Sequence, residues 1–223
     1  MKYTFQPLRI RAYLQSGIIS DQFMPLDGIL YAQAVRDVFG DRDYTLAGAN
    51  TVPEGAKIVL PIRKALTESD AWFYKSSFAV WPSHTVEDQQ HYSKRFDLSR
   101  SGLVDFGKRK GVVDNQRGQY KSYHVKVYYR HALYIDWYVD GDAEEIQKIL
   151  PFCTHLGKKA AQGWGSVLRW EVTTWPEDWS IRGEAGRLMR CVPVKDETKG
   201  FLYGVRPSYW LPKHQFPCLM PMQ

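Results

Sequence analysis

The chain has 223 residues, 44% of them hydrophobic, and a formal net charge of +6 at pH 7. This composition is typical of a folded protein and excludes an intrinsically disordered chain. No apolar stretch reaches the roughly 18 residues of a membrane span, and the first residues lack the long apolar core of a signal peptide. We therefore expect a soluble, cytoplasmic protein.

The first predicted elements are a strand and a helix. The segment PLRIRAYLQ (7–15) alternates between apolar and polar or aromatic side chains, which predicts a strand with one basic face. A helix should follow, with Asp27 as its N-cap, an apolar stripe that extends to Val38, and Gly40 at its end.

Two further strands are predicted at 56–63 and 71–81, where apolar and aromatic residues cluster. Residues 83–121 differ from both because they are polar, glycine-containing and without periodicity. Between residues 91 and 130, ten Lys and Arg face three acidic residues, so this segment carries a charge of +7 and the rest of the chain −1. Such a local patch is typical of a polyanion-binding surface, although a solvated loop with incidental charge gives the same pattern.

Periodic patterns return after the basic segment. YHVKVYY and LYIDWYV alternate as strands do, and a helix should begin at Asp142 with Glu145 as its capping-box partner. Pro151 predicts an early end or a kink of this helix, and Gly157 is placed for its C-terminal cap. The last predicted strand is VLRWEVTTW.

The predicted order is βαββαβ, an α+β ferredoxin-like core related to RNA recognition motifs. We expect a single domain over residues 1–223. Residues 83–121 would form an inserted basic hairpin, and residues 176–223, which are rich in proline, a C-terminal extension around the core.

The connection between the second helix and the last strand is the glycine-rich loop, residues 155–166 (HLGKKAAQGWGS). Glycines allow positive φ and can turn several amides toward one anion, while Trp164 offers a ring for stacking. Its lysines follow a helix and the loop enters a strand, which is the reverse of a Walker A loop. A tight turn with glycines for close packing explains the same residues without a ligand.

The segment LYIDWYVDGDAEEIQKIL…HLGKKAAQGWGSVLRWEV resembles the C-terminal signature of the RAMP superfamily of CRISPR-associated proteins, and residues 8–35 resemble its first strand and helix more loosely. The chain is most similar to the small subunit of type IV effector complexes that binds the 5′ handle of the guide RNA. This resemblance implies a projecting thumb at residues 83–121. It also implies a guide RNA, a large subunit and a repeated backbone subunit as partners, with target DNA met only indirectly and no membrane partner.

We predict that RNA contacts come from the glycine-rich loop and the thumb, with no catalytic residue, no metal and no cofactor. The predicted residues are Gly157, Lys158, Lys159, Gln162, Gly163, Trp164 and Gly165 in the loop, and Lys94, Arg95, Arg100, Lys108, Arg109, Lys110 and Arg117 in the thumb.

Two alternatives stay open. Some RAMP proteins cut repeat RNA with a histidine, and His84 and His91 border or enter the thumb, so a metal-independent endoribonuclease is one alternative. The other is a general nucleic-acid-binding module unrelated to CRISPR. The three cysteines, Cys153, Cys191 and Cys218, are widely spaced and predict neither a disulfide framework nor a zinc site.

Overall fold

The computed structural model describes residues 3–46, 58–67, 71–107, 111–195 and 200–221, with side chains only to residue 39 in the first range. The described residues form a mixed α and β fold with several small antiparallel sheets. The elements are β1 (Gln6–Leu14), α1 (Leu26–Leu46), β2 (Lys64–Leu66), β3 (Trp72–Tyr74), β4 (Val86–Lys94), β5 (Tyr123–His131), β6 (Tyr134–Gly141), α2 (Ala143–Ile149), β7 (Val167–Thr174), β8 (Val192–Pro193), β9 (Phe201–Gly204) and β10 (Gln215–Leu219).

The main core covers one face of a three-stranded antiparallel sheet in which β1 lies between β6 and β7. The alternation predicted for β1 is confirmed, since its apolar positions from Leu8 to Ala12 are buried and Arg9 and Arg11 lie on the other face. Both helices contribute side chains to this core. Each fully buried aliphatic or aromatic side chain contributes about 1.5–3 kcal/mol to folding.

A further chain segment, residues 76–80, runs antiparallel along the free edge of β6. Bridges join Ser76 to Val139 and Val80 to Asp136, and the amide of Val80 donates to the carbonyl of Asp136 at 2.8 Å. The strand predicted at 71–81 is therefore divided between β3 and this edge segment. The strand predicted at 56–63 is wrong within the described residues, because 58–63 hold only a bridge at Ile62 and β2 begins later.

The two helices differ in how well local signals predicted them. Asp142 is the N-cap of α2, as predicted, and its carboxylate accepts a hydrogen bond from the amide of Glu145 at 3.1 Å. Asp27 is not a cap but lies inside α1, wholly buried. Gly40 does not end α1, which continues to residue 46, and Val38 is 62% exposed rather than part of the buried stripe.

β4 and β5 form a two-stranded antiparallel sheet, here called the ribbon, with nine paired positions from Val86–His131 to Lys94–Tyr123. The segment predicted as the thumb therefore contains only the first strand and the tip. The second strand of the ribbon is the alternating YHVKVYYRH segment, which the sequence pattern predicted as a strand after the inserted hairpin. Nearly all ribbon residues are exposed on both faces, as in a hairpin that leaves the core.

The C-terminal segment forms a separate sheet, in the order β8-β10-β9, over a second apolar cluster that includes Phe73 and Phe78. Arg190 is fully buried beneath it and donates to the carbonyls of Ser76 (2.9 Å) and Val205 (2.8 Å). The extension is thus joined to the edge of the central sheet through the guanidinium. The three cysteines are buried and unpaired, and none of the described helices is long and apolar enough to cross a membrane.

Candidate nucleic-acid interface

The glycine-rich loop is closed at its base by a bridge between His155 and Ser166 and by a 2.8 Å bond from the Leu156 amide to the Gly165 carbonyl. Its tip is a 3₁₀ turn, Ala160–Gln162, flanked by two left-handed residues, Lys159 (φ 61°) and Gly163 (φ 84°). The helix before it ends at Ile149, so Gly157 does not cap that helix.

Two of the loop glycines are required by close backbone contact. A Cβ on Gly157 would lie 2.3 Å from the carbonyl oxygen of Ile19, and one on Gly165 would lie 1.9 Å from that of Leu156. Gly163 differs, because a Cβ there would meet nothing within 4 Å. The packing explanation therefore accounts for the first two glycines, and Gly163 is the position at which another molecule can approach the backbone.

The loop is anchored to the chain that follows β1. The amide of Lys158 donates to Ile19 at 2.6 Å and that of Gly165 to Gly17 at 2.8 Å. The Ser16 hydroxyl donates to the Gly163 carbonyl at 2.8 Å. Since the amides of Lys158 and Gly165 are already bonded within the protein, they do not contribute to an anion-binding nest.

The loop also contacts one face of the ribbon. The ammonium of Lys159 lies 4.4 Å from the ring centre of Tyr92 in β4, and the ring of Trp164 packs against Tyr129 in β5 at 4.7 Å. Lys158 instead forms an exposed ion pair with Asp21 at 2.6 Å. Loop and ribbon, separated by tens of residues in the sequence, thus form one continuous surface.

The predicted cations of the thumb are at the surface wherever they are described. Lys94, Arg95, Arg100 and Arg117 are all exposed, and only Arg100 faces a carboxylate in the described residues, that of Asp97 at 3.6 Å. Lys108, Arg109 and Lys110 lie outside the described residues.

Comparison with known protein families identifies the chain. Residues 6–221 match the model of a family described as CRISPR type IV associated protein Csf3. The chain belongs to the Csf3 family. Membership implies a subunit of a type IV CRISPR complex, which confirms the predicted association with type IV CRISPR systems. No curated protein sequence matches the chain significantly.

The outer face of the central sheet in this Csf3 family member carries paired charges. Arg11 makes two 2.7 Å hydrogen bonds to the buried Asp136, and Arg9 pairs with Glu171 at 3.1 Å. The bonds to Asp136 raise the pKa of Arg11. Since each of these cations already faces a carboxylate, this sheet face has little charge left for a phosphate, in contrast to the thumb.

The histidines considered for catalysis lie in different surroundings. His84 packs against Tyr134 of the central sheet with ring centres 5.8 Å apart, whereas His91 stacks on His124 within the ribbon at 4.6 Å. The structure gives no contact between His84 and His91, so they do not form one acid–base pair in it. Within the described ranges, no group of His, Cys, Asp and Glu is arranged to hold a metal ion.

Sequence reasoning missed several residues of this surface. Tyr92 and Tyr129 support the two loop side chains, and Ser16 and Asp21 bind the loop from the segment after β1. The alternation of YHVKVYYRH was visible in the sequence, but nothing in it indicates that β4, which is mostly polar, is its partner.

Proposed function

We propose that this chain is a non-catalytic RNA-binding subunit of a type IV CRISPR complex that caps the 5′ handle of the guide RNA. The observation that carries the proposal is the contact of the glycine-rich loop with the ribbon, through Lys159 on Tyr92 and Trp164 on Tyr129. This contact brings the glycine-rich loop, which resembles the RAMP motif, next to the ribbon, which belongs to the most positively charged segment of the chain. Phosphate contacts from this surface would supply affinity, and unstacked handle bases would supply specificity.

The proposed core is ferredoxin-like and related to RNA recognition motifs. Three strands, β6, β1 and β7, have the order and directions of the third, first and fourth strands of a βαββαβ sheet. Residues 76–80 run along β6 where the second strand belongs, and α1 and α2 follow β1 and β6 as that plan requires. In this arrangement the ribbon is an insertion between the second and third strands.

The proposed complex also includes a large subunit and a repeated backbone subunit. A groove of about 590 Å³ lies between α1, the glycine-rich loop and the C-terminal segment, and Lys158 lines it. This groove exposes the side of the glycine-rich loop that does not contact the ribbon. We assign the RNA handle to the ribbon side of the loop and leave this side for a protein subunit.

Binding experiments can separate handle recognition from general nucleic-acid binding. Labelled repeat-derived handle RNA, a scrambled RNA of equal length and a DNA of the same sequence are titrated at one salt concentration. The proposal predicts tighter binding of the handle RNA. Equal affinity for all three would support a general nucleic-acid-binding module instead.

The alternative of an endoribonuclease has its own test. Metal-independent cleavage needs a histidine beside the 2′-hydroxyl, and the stacked pair of His91 and His124 gives a specific place for one. Labelled repeat RNA is incubated with the protein in EDTA. We expect intact RNA, whereas cleavage that is lost in His91→Ala or His84→Ala would establish the enzyme.

A further inference from the structure

The two faces of the ribbon differ in chemistry. The face toward the glycine-rich loop holds most of the tyrosines and valines, among them Tyr92 and Tyr129, together with a few polar residues such as Asp88. On the opposite face, alternate residues place His91 and Ser93 of β4 beside His124 and Lys126 of β5. These four side chains are exposed, so no element of the described chain covers them.

The two imidazole rings on this face are stacked. Their centres are 4.6 Å apart and their planes differ by 8°, and His91 is directly opposite Lys126 in the strand register. The Nδ1 atom of His124 is 2.5 Å from the Ser93 hydroxyl. This hydrogen bond fixes the orientation of the His124 ring, so that its Nε2 atom points away from Ser93.

The charges around the two stacked histidines favour the binding of an anion, because the nearby carboxylates are already paired or lie on the other face. Toward the core, the carboxylate of Glu87 is bound to Arg130 at 2.7 Å, and toward the tip Asp97 is paired with Arg100 at 3.6 Å. Asp88 is on the other face, where it accepts a hydrogen bond from Tyr129. The two histidines therefore lie beside Lys126, a cation with no carboxylate partner in the described residues. The next pair along this face, Gln89 and Tyr128, is polar and uncharged.

We infer that His91, His124 and Lys126 bind one backbone phosphate of a single-stranded RNA, and that this binding takes up a proton. The inference rests on the proposed RNA-binding function and extends the RNA path from the loop-facing side of the ribbon to its opposite face, where one backbone phosphate is held. Imidazole changes its charge in the neutral pH range, and an imidazolium donates a charge-assisted hydrogen bond to a phosphate oxygen. Two protonated rings in a stack beside a lysine repel one another, and the phosphate offsets that repulsion.

The test is the pH dependence of RNA affinity. A fluorescein-labelled single-stranded repeat RNA is titrated with the purified protein at about pH 8 and about pH 6 and constant ionic strength. We expect the affinity of the wild-type protein to rise about tenfold at the lower pH, as one charge-assisted hydrogen bond would give. His91→Gln and His124→Gln should each abolish most of this rise.

His84→Gln is the control, because His84 is an exposed histidine outside the ribbon that packs against Tyr134 of the central sheet. It should keep the pH dependence, and circular dichroism checks that all three variants fold. An unchanged rise in His91→Gln and His124→Gln would overturn the phosphate site and leave the proposed function standing. Failure of the wild-type protein to bind RNA at either pH would overturn both.

Discussion

The hydroxyl of Tyr209 donates a 2.7 Å hydrogen bond to the carboxylate of Asp27, which joins the C-terminal segment to the first turn of α1. Asp27 has no exposed surface, and burial raises its pKa although the nearby Arg190 acts in the opposite direction. The same burial raises the pKa of Tyr209 well above its ordinary value. This buried contact is a second attachment of the proline-rich C-terminal segment to the core, besides that of Arg190.

Tyr209→Phe should lower the free energy of unfolding by about 1–3 kcal/mol, because it leaves a buried carboxylate without its donor. Urea denaturation followed by tryptophan fluorescence measures the change. Tyr128→Phe is the control, since Tyr128 is 67% exposed and its substitution should cost less than about 0.5 kcal/mol. Equal losses in the two variants would contradict this role for the Asp27 contact.

Asp142→Ala should destabilise the protein by about 1 kcal/mol at neutral pH, the usual cost of removing an N-cap. Hydrogen bonds from the amides of Thr4 and Glu145 lower the pKa of Asp142 from its ordinary value of 3.8. Its stabilising effect is therefore present above pH 3.8 and is lost as the pH falls through the lowered folded-state pKa. Denaturation of the wild-type protein and Asp142→Ala should show that their difference in unfolding free energy disappears as the pH falls below 3.8. Gln147→Ala, an exposed change on the same helix, is the control and should show no such trend.

Gly165→Ala and Gly163→Ala form a matched pair within the glycine-rich loop. Both residues have positive φ, of +68° and +84°, so either alanine is strained by about 1 kcal/mol. Only at Gly165 does the new Cβ collide with a backbone oxygen, that of Leu156, which raises the expected total to about 2–4 kcal/mol. Urea or thermal unfolding measures both losses of stability. Equal losses in the two variants would contradict close packing as the reason for a glycine at position 165.

Lys158→Ala combined with Lys159→Ala should weaken RNA binding and flatten its salt dependence. Each lost phosphate contact lowers the slope of log affinity against log salt by about 0.7 for single-stranded RNA. Lys148→Ala is the control, because Lys148 is an exposed lysine of α2 paired with Glu145. A slope unchanged by the double substitution would remove the loop lysines from the RNA surface.

Local signals in the sequence predicted local structure well. The strand β1 and the cap of α2 at Asp142 are confirmed, and the helix ends before Pro151, because alternation, capping and proline geometry act within a few residues. The predicted stop at Gly40 is wrong, since a glycine can continue a helix at a modest cost.

Long-range pairing could not be predicted in the same way. β5 has a clear strand pattern, but its partner β4 is mostly polar and shows no alternation of burial. The buried Arg190 and the contact of Lys159 with Tyr92 join residues that are far apart in sequence and have no local signature. The glycine-rich loop was therefore recognisable from the sequence, whereas its contact with the ribbon was not.

The most direct test of the central claim is to co-express the chain with a CRISPR array and its neighbouring genes, purify it, and sequence the bound RNA. We predict one RNA species with a single defined 5′ end, recovered together with the partner subunits. Recovery of mixed cellular RNA, or of none, from the assembled complex would contradict the handle-capping role.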